Sequence, residues 1–145
     1  MKRLVTALIL SLLASGALAQ TTATPASERM GEVVVEASQE GWMQINVEDA
    51  ADYIFQIEPF ILDVRTVDEF ADGYIELAVN IPVVELPQHL DQLPADLDTP
   101  ILVYCAAGTR GQWGLAYLTS LGYTNVQNLS GGFRAWTEAG YPTAN

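Results

Sequence analysis

Between Ile45 and Gly140, short apolar runs alternate with stretches of helical length, and this rhythm limits the chain to few architectures. Ile101-Leu102-Val103-Tyr104 is the clearest run. It is introduced by Pro100, rich in β-favouring side chains, and apolar without interruption, as in a strand buried on both faces. Phe60-Ile61-Leu62, Val79-Asn80-Ile81 and a run beginning at Val126 read as further strands. Asn46 is placed to cap a helix with Glu48 and Asp49 in its first turn and an inward face of Ala50, Ala51, Ile54 and Phe55. Thr66 and Glu69 form a capping box for a short helix that stops near Gly73. Val84 to Leu93 is expected to be helical. A helix over Gln112 to Leu121 is expected to face inward through Trp113, Ala116, Tyr117 and Leu121, with Gly122 as its stop. Gly131-Gly132 marks a turn, and Phe133 to Glu138 reads as a last helix closed by Gly140. Strands that alternate with helices must be joined by crossovers, so the expected class is α/β, with a mainly parallel sheet covered on both faces. A length of 145 residues fits one such domain, and no internal repeat is visible.

The N-terminus has a different character. Lys2 and Arg3 precede an apolar run from Leu4 to Leu13, and Ala17-Leu18-Ala19 follows. A positive head, a short apolar stretch and an A-x-A exit are the parts of a secretory signal peptide of bacterial type, so residues 1–19 are expected to be removed. The run falls well short of the ~20 residues that span a bilayer. The expected location is periplasmic or secreted, with no membrane attachment after cleavage. Residues 20–44 read as a flexible lead-in with a possible edge strand over Glu32 to Ala37, leaving 45–145 as the domain.

Charge and residue inventory remove several function classes. The chain carries 18 acidic residues against 6 basic, for a formal net charge of −12, and phosphate backbones would repel it. Without residues 1–19 it holds no lysine, which excludes Schiff-base chemistry. A single cysteine excludes an internal disulfide and a Cys-rich metal site. Asp91, Asp96 and Asp98 lack the spacing of a calcium loop and read as a solvated connection. There is no dinucleotide fingerprint, P-loop or paired-His zinc motif, so neither metal nor cofactor is expected. His89 reads as a surface residue, and Trp42, Trp113 and Trp136 read as packing residues, Trp113 lying close enough to the cysteine turn to wall a pocket.

That turn carries the functional signal. Cys105 follows the strongest strand and precedes a helix, at the carboxyl end of a parallel sheet, where such folds bind ligands. The connection runs Cys105-Ala106-Ala107-Gly108-Thr109-Arg110. Small side chains and a glycine let backbone N–H groups converge into an anion-holding nest at a helix start. Sulfur at its centre, with Arg110 adding positive charge, is favoured as thiolate, the form needed for nucleophilic chemistry. An isolated cysteine is more often an inert core residue. Here the strand-to-helix position, the turn ending in arginine and the survival of one thiol in an exported chain weigh the other way. Only four residues separate Cys105 from Arg110, where cysteine phosphatases have five. The tighter loop suits a group smaller than phosphate, such as the outer sulfur of a persulfide.

The Cys105-to-Arg110 loop, Leu62-Asp63-Val64-Arg65 with Glu69-Phe70 and Gly73-Tyr74-Ile75, Asn80-Ile81-Pro82, and Gly131-Gly132-Phe133 with Ala135-Trp136 together resemble the rhodanese-like sulfurtransferases, over about Ile45 to Pro142. The resemblance implies a five-stranded, mainly parallel sheet with helices on both faces. It implies a Cys105 persulfide that carries sulfane sulfur from a small donor, such as thiosulfate or polysulfide, to a thiol or cyanide acceptor. It makes Ala106, Ala107, Gly108, Thr109 and Arg110 the persulfide-stabilising loop, and Asp63 and Arg65 a structural polar support. A non-catalytic sulfur carrier or binding module of the same fold is the alternative. The chain departs from the family at Tyr74, often His, at Leu77-Ala78, often Gly-Ala, and at Gly111, commonly Ser. Gly111 is expected to loosen the helix start by removing a capping hydroxyl.

Overall fold

The computed structural model describes residues 43–145. The expected signal peptide over 1–19, the candidate strand over Glu32 to Ala37, Trp42 and the lead-in as far as residue 42 lie outside the described residues. Five strands form one sheet: β1 (Gln44–Ile45), β2 (Phe60–Asp63), β3 (Val79–Asn80), β4 (Ile101–Tyr104) and β5 (Val126–Leu129). Their order is β1-β5-β4-β2-β3, and every pairing is parallel. The helices are α1 (Val47–Ile57), α2 (Val67–Ala71), α3 (Thr109–Ser120) and α4 (Gly132–Glu138). Strand β1 begins ahead of the expected domain boundary at residue 45, and the buried Met43 packs into the core beside it.

The core divides between the two faces of the sheet. Leu62, Val103, Val126, Leu115 and Leu118 pack together on the α3 side. Ile61, Leu102, Tyr104, Leu129, Ala50 and Trp136 pack on the other side, against α1 and α4. Neighbouring residues of β2 and β4 fall in opposite clusters, as side chains pointing alternately to the two faces require. All four residues of β4 are buried, which explains its uninterrupted apolar run.

Local capping follows the expected chemistry. Asn46 accepts the Asp49 N–H at 2.8 Å, and Thr66 with Glu69 forms a complete capping box at the start of α2. Three expectations are corrected. Phe55 is 86 % exposed, whereas Ala50, Ala51 and Ile54 face the core as expected and the half-buried Tyr53 joins them. The stretch Val84 to Leu93 is two 3₁₀ turns, Leu86–Gln88 and Leu90–Gln92, because Pro87 cannot supply a helical N–H and the backbone leaves helical geometry at His89. The buried face of α3 consists of Gly111, Gly114, Leu115 and Leu118, with Tyr117 and Leu121 half-buried against the core as expected, while Trp113 lies outside it. Trp113 is 68 % exposed. Two glycines bring this helix close to the sheet, and a search for apolar side chains passes over them.

Candidate active site

Strand β4 delivers Cys105 to the carboxyl edge of the sheet, and the loop to Gly108 leads into α3. The Cys105 side chain is buried at the margin of the α3-side core. Its sulfur accepts the Gly108 N–H at 3.1 Å. Gly108 holds φ at +101°, a conformation that side chains disfavour, and this turn is what aims its amide back at Sγ. The Gly108 carbonyl accepts from Gln112 N and so starts α3, leaving the amides of Thr109 and Arg110 without an acceptor inside the helix. Ala106 is half-buried, and Ala107 and Thr109 are exposed along the rim. Of the loop amides expected to surround the sulfur, Gly108 is the one that bonds it.

Arg110 is directed at Glu69 on α2. Its Nη1 and Nη2 donate to the two carboxylate oxygens of Glu69, each at 2.7 Å. Hydrogen bonding from Arg110, reinforced by Thr66, brings the Glu69 carboxyl down to about 2 despite some burial. The Arg110 guanidinium is shifted upward, chiefly by its hydrogen bond to Glu69 against the cost of burial, with smaller help from the charges of Glu69, Cys105 and Asp63. From the sequence Glu69 reads as a capping residue and as part of a resemblance motif, with no task at the cysteine loop. The structure adds its second task, orienting the one cation of the cysteine loop.

Asp63 and Arg65 lie at the end of β2, inside the protein. Arg65 Nη2 donates to Asp63 Oδ2 and to the Gly73 carbonyl, both at 2.6 Å. The guanidinium lies over the Phe133 ring with its carbon 4.1 Å from the centroid. Burial opposes the charge of Arg65, and the Asp63 hydrogen bond and charge overcome it, so its pKa is raised. Asn80 Nδ2 donates to the Asp63 and Arg65 carbonyls, tying β3 into the same cluster. Tyr104 is pushed upward by burial and by Asp63, and its hydroxyl accepts the Ile75 N–H. These groups bond one another and the backbone around the end of β2, and among the described residues none of them bonds the sulfur.

The segment Gly131-Gly132-Phe133, read from sequence as a turn, bears directly on the cysteine loop. Phe133 N donates to the Cys105 carbonyl at 2.7 Å and Arg134 N to that of Ala106 at 3.0 Å. Gly132 has φ +61°, and a Cβ there would run into the Cys105 carbonyl oxygen. The start of α4 therefore clamps the backbone of the loop from the opposite face. His89 stays apart from this site, near Glu85 and Gln92. Among the described residues no group of His, Cys, Asp and Glu is arranged to hold a metal ion.

A parallel five-stranded sheet with a cysteine loop at its carboxyl edge defines a class, and comparison with known proteins gives the family. The rhodanese-like domain model matches residues 46–139, and the chain belongs to that family. A sulfurtransferase of Allochromatium vinosum is 38 % identical over 82 residues, covering 57 % of this chain and 75 % of the relative. The thiosulfate sulfurtransferase GlpE of Shewanella oneidensis is 38 % identical over 79 residues, covering 54 % of this chain and 76 % of its own length. The crystal structure of a rhodanese-related protein from Thermoplasma volcanium superposes with a TM-score of 0.62 at 34 % identity, over 70 % of this chain and 96 % of that one. The chain has sulfurtransferase relatives, and its α/β fold is that of the rhodanese-like domains.

Proposed function

We propose that this protein is a sulfurtransferase that works through a persulfide on Cys105. The supporting observation is the Gly108 N–H held 3.1 Å from Sγ at the start of a helix, because a donor aimed at sulfur steadies the negative charge that passes onto Cys105 when the persulfide is discharged. In the first half-reaction the Cys105 thiolate attacks the sulfane sulfur of a donor. A sulfur–sulfur bond forms to Cys105, the donor's own bond to that sulfur breaks, and the leaving group (sulfite when the donor is thiosulfate) departs with the electron pair. In the second, a thiol or cyanide attacks the outer sulfur and Cys105 leaves as thiolate. No net oxidation of the protein occurs.

Glu69 bears on the choice of donor. Arg110 is the loop's single cation, and a carboxylate already holds it. A compact dianion such as thiosulfate finds little uncompensated positive charge there, so singly charged persulfides, and polysulfides whose two charges sit at opposite ends of a sulfur chain, fit better. The expected signal peptide supports work outside the cytoplasm.

The burial of Cys105, 1 % exposed, favours a second reading, a sulfur carrier that loads and discharges slowly. Steady-state assay of sulfur transfer from polysulfide and from thiosulfate to cyanide separates the two. An enzyme forms thiocyanate over many turnovers, faster from polysulfide, and loses the activity in Cys105→Ser. A carrier releases about one equivalent and then turns over only very slowly.

A further inference from the structure

The deepest polar side chain beside the cysteine loop is Asn128 on β5, fully buried at 0 % exposure. It is paired in register with Val103 of β4, two residues before Cys105, and lies on the α3 side of the sheet. Its Nδ2 donates to the Gly108 carbonyl at 3.2 Å and to Gln44 Oε1 on β1 at 3.0 Å. Its Oδ1 is buried with no hydrogen-bond partner. That oxygen occupies the space where a Cβ on Gly111 would stand.

Each of these facts has a physical consequence. A buried carbonyl oxygen without a partner is costly, and a core of this kind would be more stable with an apolar side chain of the same shape. Gly111 inside the first turn of α3 is costly as well, since glycine weakens a helix. Together the two unfavourable choices bring one amide N–H to the Gly108 carbonyl. Gly108 is the residue whose own N–H bonds the sulfur. Its carbonyl, held by Asn128 on one side and by Gln112 N on the other, leaves the residue little freedom to rotate. The cap of α3 is Gly108 and Gly111 is its third residue, so in place of the capping role expected from sequence Gly111 makes the notch in which Asn128 lies.

We propose that Asn128 is a positioning residue for Cys105, donating from the Gly111 notch to the Gly108 carbonyl and so fixing the turn whose amide bonds the sulfur. It touches neither donor nor acceptor, and it acts through Gly108. The inference rests on the reading of Cys105 as the reacting nucleophile.

The test is the rate of Cys105 alkylation by iodoacetamide as a function of pH, read beside the thermal melting temperature. Wild type is measured first. Absence of any pH-dependent alkylation there would overturn the nucleophile reading itself, and the inference with it. Asn128→Leu keeps the branched shape and removes the unpartnered oxygen, so its melting temperature should hold or rise. Its alkylation profile should nevertheless move toward alkaline pH, with about a tenfold loss in the rate of sulfur loading from polysulfide. Gly111→Ala pushes the Asn128 side chain aside and should reproduce that shift. The double variant should be no worse than Asn128→Leu alone, because both changes remove one interaction. Unchanged profiles in folded variants, or losses that multiply in the double variant, would overturn the proposal. If Asn128→Leu fails to fold, Asn128→Asp decides: it keeps the shape but replaces the donor with an acceptor, and an unaltered profile in it counts equally against the proposal.

Discussion

Glu69 and Arg110 stand 41 residues apart in the chain and meet through two hydrogen bonds of 2.7 Å. The pair joins the first turn of α2 to the first turn of α3 at the mouth of the cysteine loop. It holds the guanidinium in one orientation while neutralising part of its charge. Removing Arg110 and removing Glu69 should therefore have different consequences. On the proposed reading, Arg110→Ala removes a positive charge beside the reacting anion, worth about 2 kcal/mol or roughly thirtyfold in kcat/KM for sulfur transfer. Glu69→Gln frees the guanidinium and should improve thiosulfate relative to polysulfide as donor. Parallel kinetics with the two donors check both outcomes.

The same pair sets an acid-side dependence of stability. Hydrogen bonding from Arg110 depresses the Glu69 carboxyl from 4.5 to about 2 in the folded protein. A depressed carboxyl stabilises the fold above its unfolded value and loses that contribution as pH falls through the folded one. Wild type should exceed Glu69→Gln in urea stability at neutral pH, and the gap should close between about pH 4.5 and pH 2. The gap is small, because both side chains are about one-third exposed to water. Urea midpoints across that range measure it.

Arg65 and Asp63 form a different kind of pair, 4 % and 0 % exposed. Arg65→Ala leaves the Asp63 carboxylate buried without its partner and the Gly73 carbonyl without its donor. A loss of about 3–5 kcal/mol in unfolding free energy is expected. The double change Asp63→Asn with Arg65→Met should recover part of that loss, since no unpaired charge remains. Chemical denaturation of the three variants checks the order.

Gly132 tests the clamp on the loop. Gly132→Ala places a methyl group against the Cys105 carbonyl oxygen at a left-handed backbone position. Destabilisation of about 2–4 kcal/mol is expected, from overpacking and backbone strain together. Loss of activity beyond the unfolded fraction would show that the loop itself has shifted. Gly140→Ala, also at positive φ but with open space around its Cβ, is the matched comparison.

Much of this site was legible one residue at a time. Pro100 and the apolar run after it mark β4, and Cys105 with its glycine turn follows by position alone. The capping box at Thr66 and Glu69 is a local pattern, and it forms as expected. What escaped was long-range. Glu69 gives no sequence sign that it reaches Arg110, because its local role already accounts for it. Gly131-Gly132 looks like any turn until the fold brings it against Cys105. On α3, Tyr117 and Leu121 face the core as expected, but Trp113 faces out, because closeness to the sheet is achieved there by Gly111 and Gly114, residues with no hydrophobic signal. Val84 to Leu93 has helical spacing, but Pro87 and the backbone at His89 break it into single turns. Asn128, read only as part of a strand, acquires significance from what surrounds it in space.

On the proposed reading, the sulfur of Cys105 accepts another sulfur atom and gives it up again. Intact-mass measurement of the protein after brief exposure to polysulfide, and again after cyanide, tests it directly. Wild type should gain the mass of one sulfur atom and then lose it to cyanide, while Cys105→Ser should gain nothing. Failure of wild type to take up sulfur, under conditions where iodoacetamide still labels Cys105, would contradict the account.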